Sequence, residues 1–314
     1  MSELATRAAI EASVATTPPA ATPRAHTWRR LLRDPLAWVG GTVLLLLVLI
    51  ASVPGAFTAL SPASHETGPC EIRQSDGSFR DRLGPSSDHW FGTDLEGCDV
   101  YNRVIRATRP SLAVGVVALA VSSGVAVGLV LVSLFTGSTG DAIVSGATDV
   151  WFGIPGVVGA ILILSLVDGS RGIVLVGCVI GVLSWPLPMR ILRSSARRTI
   201  QRGFVEQLRA AGATRWRIVV RHVVPNSMGP FIVYSAVSFG VLIVAEAMLT
   251  FLGVGLSGAD TSWGGLIATA EGRFTTDPHL VLAPGAFLSV TVLAVVLLAD
   301  ALRDALDPRG AGRG

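Results

Sequence analysis

Residues 204–226 have the sequence FVEQLRAAGATRWRIVVRHVVPN and lie between two long apolar stretches of the chain. The pattern predicts two short helices separated at Gly212, because glycine suits the left-handed turn that ends a helix. Thr214 is a suitable N-cap for the second helix, and Pro225 is expected to end it. The second helix carries valines and arginines together, so we predict that it docks into a partner. Contact with anionic lipid is the alternative interpretation.

The apolar stretches around this segment are long enough to cross a bilayer. The 314 residues are 50% hydrophobic and 15% charged, with a mean hydropathy of +0.59, whereas soluble domains carry about 25% charged residues. A spanning helix needs about 20 apolar residues. We therefore predict an all-α integral membrane protein with six transmembrane helices, at Leu36–Phe57, Ser111–Thr136, Ala142–Val167, Gly172–Leu192, Met228–Val254 and Val281–Leu302.

Two of these spans contain residues that interrupt helices. The third carries Gly153-Ile154-Pro155-Gly156 and is expected to be kinked or split into two packed pieces. The fourth carries Trp185, Pro186 and Pro188 near its end, and these residues are expected to bend it.

The arginines indicate the orientation, because cytoplasmic loops retain positive charge. Five arginines precede the first span, and nine lie between Arg190 and Arg221. The segment 58–110 instead balances six arginines with eight carboxylates. With six spans, both termini and the arginine-rich loop are predicted to be cytoplasmic, in a multi-pass protein of the cytoplasmic (inner) membrane.

The predicted organisation follows from these boundaries. Residues 1–25 are expected to form a disordered cytoplasmic tail, and residues 26–35 either an interfacial helix or an ordinary basic anchor. The first span (36–57) is followed by an external loop (58–110). A five-span core covers 111–309, with the cytoplasmic loop at 193–226, and 310–314 form a short tail.

Several chemistries are excluded by composition. The chain has no lysine, which a Walker-type phosphate loop and a Schiff-base enzyme both require. Its five histidines are scattered, and no pair has the spacing of a zinc site. We therefore predict no catalytic residues, no metal site, no cofactor in this chain and no nucleic-acid partner.

The segment at Gly212 resembles the cytoplasmic loop of permease subunits of binding-protein-dependent ABC importers. That loop has the pattern E-A-A-x-x-x-G, followed by a helix and H-x-x-P-N. Gln207 and Leu208 stand where the pattern has its two alanines. The resemblance assigns contact with an ATPase to Glu206, Arg209, Gly212, Ala213, Thr214, Trp216, His222, Pro225 and Asn226.

Three further stretches resemble the C-type permease of the dipeptide, oligopeptide and nickel branch of these importers. They are 89–115, 246–255 with the following S-W-G, and 300–309. The first matches the motif F-G-T-D-x-x-G-R-D before the second span. Its matching residues are Phe91, Gly92, Thr93, Asp94, Gly97, Asp99, Arg103 and Arg109.

The resemblance implies a type I ABC importer permease fold with a coupling-helix loop, and a role in importing di- or oligopeptides. It also implies four kinds of partner: a second homologous permease, two cytoplasmic ATPases that bind ATP and Mg, an extracytoplasmic substrate-binding protein, and membrane lipid. The alternatives are an importer of nickel or another small solute, a secondary transporter, and a channel subunit.

Two acidic residues lie within predicted spans, where charge is costly and usually faces protein or a water path. Asp149 lies in the third span and Glu246 in the fifth. Each is interpreted either as part of the substrate pathway or as a helix-packing anchor. For Glu246 the packing anchor is the preferred interpretation.

Two cysteines, Cys70 and Cys98, lie in the predicted external segment. Cys98 stands where the resembling family has arginine. Disulfides persist in oxidising compartments, and the intervening segment has little apolar material to hold it folded. We therefore predict a Cys70–Cys98 disulfide, with two unrelated thiols as the alternative.

Overall fold

The computed structural model describes residues 31–65, 81–258 and 261–306. Within these ranges the regular secondary structure is entirely helical. The α-helices in chain order are α1 (Pro35–Ser52), α2 (Pro54–Thr58), α3 (Val100–Phe152), α4 (Gly156–Ser165), α5 (Ile173–Ser184), α6 (Pro186–Ile200), α7 (Gly203–Ala210), α8 (Arg215–Ile218), α9 (Val224–Phe251), α10 (Trp263–Thr269) and α11 (His279–Leu306).

Four helical stretches in the described ranges are long and apolar enough to cross a membrane: α1, α3, α8 together with α9, and α11. A fifth results if α5 and α6, which meet at an angle of 49°, form one span. The integral membrane, all-α prediction is therefore confirmed. The count of six stays a prediction.

The long helix α3 reverses direction at Gly137, whose φ of 77° and ψ of −152° are not helical. The Ser133 hydroxyl donates to Asp141 Oδ1 at 2.6 Å. Eight residues of straight helix separate their Cα atoms by about 12 Å, which is beyond the reach of these short side chains. Residues 100–136 and 138–152 are thus two helices joined at a glycine turn, as the predicted second and third spans require.

The helix interruptions lie at the positions predicted from the sequence. The helix that follows Gly137 ends at Phe152, and α4 begins at Gly156, so the third predicted span consists of two pieces. The bend of 49° between α5 and α6 lies at Trp185, directly before Pro186.

The helix after the predicted external loop begins earlier than expected. It starts at Val100 rather than Ser111, because Asp99 caps it by accepting a hydrogen bond from the Asn102 N–H at 2.8 Å. Its first turns bury Val104 and Ile105. Arginines on the other face lower the local hydropathy, so these turns could not be recognised from an apolar stretch in the sequence. The predicted external loop boundary at 110 therefore lies within α3.

The second helix of the arginine-rich loop does not end at Pro225, so that prediction was wrong. A π-helical turn covers Val219–Val223, and the chain continues directly into α9. The Val224 N–H bonds to the carbonyl of Val219, five residues back. The wider turn accommodates a proline that supplies no N–H of its own. The loop boundaries at 193 and 226 move inward accordingly, because α6 extends to Ile200.

Small residues bring the helices close together, as is usual in membrane bundles. A Cβ on Gly40 of α1 would lie 2.6 Å from the Ala294 carbonyl oxygen of α11. A Cβ on Gly181 of α5 would lie 2.7 Å from the Ala118 carbonyl oxygen of α3. Neither position has room for a larger residue.

The bundle has polar structures at its two ends, and each packs on a separate apolar core. We name residues 81–103 the Asp94 loop and residues 201–226 the Gly212 segment. The Asp94 loop precedes α3, whereas the Gly212 segment contacts Leu134 and Phe135 at the far end of that helix. Thirty-odd helical residues correspond to about 50 Å, so the two lie on opposite sides of the bundle.

Candidate functional site

The Gly212 segment forms a protruding turn. Gly212 has a φ of +77°, and an added Cβ there would meet nothing within 4 Å. The α7 helix is closed by bonds from the Ala211 and Ala213 N–H groups to the carbonyls of Gln207 and Leu208. Thr214 caps α8 by accepting from the Arg217 N–H at 3.3 Å. The predicted pair of helices with a glycine turn between them is therefore present.

Two contacts join this turn to the end of α3. Arg215 Nη2 donates to the carbonyl of Leu134 at 2.7 Å. Trp216 stacks on Phe135 with ring centroids 5.2 Å apart and planes inclined by 18°, although its side chain remains 64% exposed. The Gly212 segment is therefore joined to the end of α3 by both a hydrogen bond and a ring contact.

Most of the other predicted residues of the segment lie on its surface. The Asn226 amide donates to the carbonyl of His222 at 2.7 Å, one turn back. His222 and Ala213 are half-buried. The exposed residues of the predicted set are Glu206, Arg209, Gly212, Thr214, Trp216, Pro225 and Asn226.

An ionic cluster that was not predicted from the sequence joins α3 to α6. Asp141, directly after the glycine turn of α3, accepts from Arg193 Nε at 2.6 Å and also pairs with Arg197. Both arginines belong to α6 and lie more than fifty residues away in sequence. The short sequence GSTGD at 137–141 signals a turn, but its partner could not be found from spacing.

The Asp94 loop is organised by two carboxylates. Asp94 Oδ1 accepts from the N–H groups of Glu96 at 2.8 Å and Cys98 at 2.9 Å, and its other oxygen pairs with Arg103. Asp99 is the N-cap of α3, and its Oδ2 lies 3.0 Å from Nδ1 of the buried His89. The hydrogen bonds of both aspartates therefore stabilise the folded conformation of the loop.

The remaining predicted residues of the loop are mostly internal as well. Gly92 has a φ of +76°, and a Cβ there would lie 2.3 Å from the Leu83 carbonyl oxygen. The Thr93 hydroxyl accepts from the Leu83 N–H at 2.8 Å, and Phe91 packs edge-on against aromatic rings. Gly97 has a φ of +76° in the turn that follows Asp94. Arg109 is exposed and does not join the cluster.

Three potential metal-ligand atoms, from Asp94, Glu96 and Cys98, lie within 4.8 Å of one another. Arg103 pairs with both carboxylates, at 3.2 Å for Glu96. The guanidinium thus supplies the positive charge that a metal ion would bring. Cys70 lies outside the described residues, so the Cys70–Cys98 disulfide stays a prediction.

The two acidic residues within the spans have different surroundings. Glu246 is fully buried, and its Oε1 accepts from the Thr250 hydroxyl at 2.8 Å. That hydroxyl in turn accepts from the Leu256 N–H at 3.1 Å, whereas Glu246 Oε2 has no hydrogen-bond partner among the described residues. The choice between a packing anchor and the substrate pathway stays a prediction. Asp149 pairs instead with Arg190, and both side chains are largely exposed, at 62% and 46%.

Arg171 is a further residue whose contacts were not predicted. It joins two connections on the side of the bundle away from the Gly212 segment. Arg171, between α4 and α5, donates to the carbonyls of Gly255 and Gly253, each at 3.1 Å. Its own N–H donates to the Ser257 hydroxyl at 2.9 Å. These bonds tie the start of α5 to the connection that follows α9.

Comparison with known proteins gives a consistent result. Residues 120–311 match the family described as binding-protein-dependent transport system inner membrane component, and residues 22–82 match the N-terminal TM domain of oligopeptide transport permease C.

Relatives resemble nearly the whole chain. The glutathione transport system permease protein GsiD of Pectobacterium atrosepticum is 33% identical over 292 residues, which is 92% of each chain. The dipeptide transport system permease protein DppC of Alkalihalophilus pseudofirmus is 31% identical over 290 residues, 92% of this chain and 91% of its own. With the family match over residues 120–311, these findings show that the chain belongs to the inner-membrane permease family of binding-protein-dependent ABC importers, within its peptide branch, and has the type I permease fold.

Proposed function

We propose that this permease subunit passes di- or oligopeptides, or similar small solutes, inward through an ATP-driven importer. Relatives of the chain are dipeptide and glutathione transport permeases, which supports a peptide substrate. Its partners are then a second, related permease, two ATPases and an extracytoplasmic binding protein. The chain itself is non-catalytic, with ATP and Mg held by the ATPases.

The observation that carries this proposal is the protruding Gly212 turn. It presents exposed side chains on both sides of an exposed glycine, and it is joined to α3 by Arg215 and Trp216. A partner that binds the turn can therefore move the turn and the end of α3 together as a rigid body. Such a partner favours one of two bundle conformations because it makes different contacts in each.

The orientation is part of the proposal. The arginine-rich Gly212 segment and both termini face the cytoplasm, and the Asp94 loop faces the binding protein. The distribution of arginine supports this orientation, since positively charged loops remain on the cytoplasmic side. A cysteine at Ser87, which is exposed in the Asp94 loop, should react with an impermeant thiol reagent added outside. A cysteine at Arg198 should not.

The experiment that tests the function is reconstitution of the complete importer in proteoliposomes. The tagged chain should co-purify with two ATPases and a second permease. Peptide-loaded binding protein should stimulate ATP hydrolysis and drive uptake of a labelled dipeptide. Uptake that proceeds without ATP, or a chain that purifies without ATPases, would contradict the proposal.

A further inference from the structure

A cavity of about 390 Å³ lies within the bundle, between α3, the helices on either side of the Trp185 bend, and α9. Its lining includes Ser122, Trp151, Tyr234 and Ser238. The volume lies in the range of small-molecule sites, about 300–1,000 Å³. The wall also includes residues 154–156, at the break before α4.

The polar groups of this wall are hydroxyls. Ser122 is only 4% exposed, and the buried hydroxyl of Ser238 has no hydrogen-bond partner among the described residues. An unsatisfied buried polar group is destabilising, so a wall of this kind is stabilised by a ligand or water that bonds to it. No Asp, Glu, Arg or His is among the lining residues.

The break before α4 adds donors to the same wall. The first N–H groups of a helix have no partner within it and carry a partial positive charge. The first turn of α4 begins at Gly156, which lines the cavity. Carbonyl oxygens are therefore favoured here, beside hydroxyls that both donate and accept.

An ion pair lies next to the cavity. Phe152 lines the cavity, and the guanidinium of Arg190 lies 4.2 Å from the centre of its ring. Arg190 also pairs with Asp149, and both side chains are largely exposed in this chain. Charged side chains within membrane spans face protein or a water-filled path. The pair therefore favours a cavity that faces a water-filled path or a protein partner rather than lipid.

We propose that this cavity is a substrate-contact site on the translocation path, and that it binds the backbone amides of a short peptide. Tyr234 and Ser238 hydrogen-bond to the peptide backbone, and Trp151 packs against it. Because the wall carries no charged side chain, the site accepts peptides irrespective of the charge of their side chains. The inference rests on the proposed importer function.

The chain offers a matched control for the test. Ser235 precedes Ser238 on α9 and also has a buried hydroxyl without a partner among the described residues, but it does not line the cavity. Ser238→Leu fills the cavity, whereas Ser235→Leu adds the same bulk outside it. Tyr234→Phe removes one hydroxyl with almost no change in volume.

Uptake of neutral, acidic and basic labelled dipeptides by the reconstituted importer is the first readout. We expect Ser238→Leu to lower uptake of all three at least about tenfold and Tyr234→Phe to lower it about threefold, with equal effects on each peptide. Ser235→Leu should stay within about twofold of wild type, and all variants should co-purify with the ATPases. Equal uptake by Ser238→Leu and wild type overturns the inference, whereas a wild type that transports no peptide overturns the proposed function itself.

Cysteine accessibility is the second readout, and it does not depend on transport activity. In a Cys178→Ala background, Ser238→Cys in the assembled importer should react with a small hydrophilic thiol reagent at least about tenfold faster than Ser235→Cys. Trapping labelled peptide in the complex should slow the reaction of Ser238→Cys. Reaction only with a lipid-soluble reagent, or none at all, would mean that lipid or a partner helix fills the cavity and would overturn the inference.

Discussion

The Asp94 loop and the Gly212 segment are two polar structures of similar length with opposite designs. In the Asp94 loop, the motif residues bond to one another: Asp99 is 3% exposed, and Thr93 is fully buried. In the Gly212 segment, the residues around the turn are exposed, and Trp216 is only partly covered by Phe135. The motif residues of the Asp94 loop stabilise their own loop, whereas those of the Gly212 segment leave most of their surface exposed.

The difference separates two reasons for a residue to be part of a motif. A buried carboxylate must be satisfied within the chain, since an unpaired one costs several kcal/mol. An exposed glycine with positive φ makes no stabilising packing contact. Glycine is needed there because it allows the backbone conformation that shapes the turn. Substitutions should therefore damage folding in the first region and coupling in the second.

The largest expected effect is that of Asp99→Ala. The change removes the cap of α3 and leaves His89 without its carboxylate partner. We expect a loss of about 3 kcal/mol of stability, or roughly 6–10 °C in the thermal midpoint in detergent. Asp88→Ala, at an exposed position of the same loop, should shift the midpoint by less than about 2 °C. Equal shifts would show that Asp99 does not hold the loop.

The second effect concerns the predicted disulfide between Cys70 and Cys98. By loop-closure entropy such a bridge stabilises by about 3 kcal/mol, and strain lowers the gain to about 2 kcal/mol. Cys98→Ser and reduction of the wild type should lower the thermal midpoint equally, and reduction of Cys98→Ser should change nothing further. Peptide mass spectrometry without reductant should recover the two cysteines in one cross-linked species. Free, alkylatable thiols at both positions would refute the bridge.

The third effect distinguishes folding from coupling. Gly212→Val forces a β-branched residue into positive φ, at a cost of about 1–2 kcal/mol, and changes the shape of the turn. Uptake should fall at least about tenfold while the chain still inserts into the membrane. Gly203→Val is the control, because that glycine is also exposed and unobstructed but has an ordinary φ. Normal transport by Gly212→Val would remove the turn from the coupling route.

The smallest effect is that of Trp216→Ala. Stacked rings contribute about 0.5–1.5 kcal/mol, so loss of the Phe135 contact should reduce the stimulation of ATP hydrolysis by loaded binding protein about threefold. Trp216→Phe retains a ring at this position and should recover most of the stimulation. If both variants behave alike, the ring contact does not transmit the movement.

Local chemistry explains which parts of the structure could be predicted from the sequence. The break at Gly153–Pro155, the bend at Trp185 and the turn at Gly212 each depend on a glycine or proline in place. The start of α3 at Val100 was missed because its buried valines are interspersed with arginines. The π turn before Pro225 was missed because the packing around it decides whether the helix continues.

The contacts between distant residues were beyond prediction from one sequence. Asp141 and Arg193 are paired only because α3 reverses at Gly137 and α6 is set at an angle to α5 at Trp185, so their pairing depends on two other features. The cavity hydroxyls were missed because serine in an apolar span has no periodic signal. The exposed turn at Gly212 could be predicted because it depends on a local glycine and a local helix cap rather than on distant contacts.

The exposed pair of Asp149 and Arg190 also bears on how the protein is made. A chain inserted alone would present this pair to acyl chains, which exposes charge to hydrocarbon at a cost of several kcal/mol. In the importer proposed above, we therefore expect membrane insertion to be coupled to pairing with the second permease. A subunit without that partner should be degraded by membrane proteases, so the abundance of this chain in the cell should follow that of the second permease.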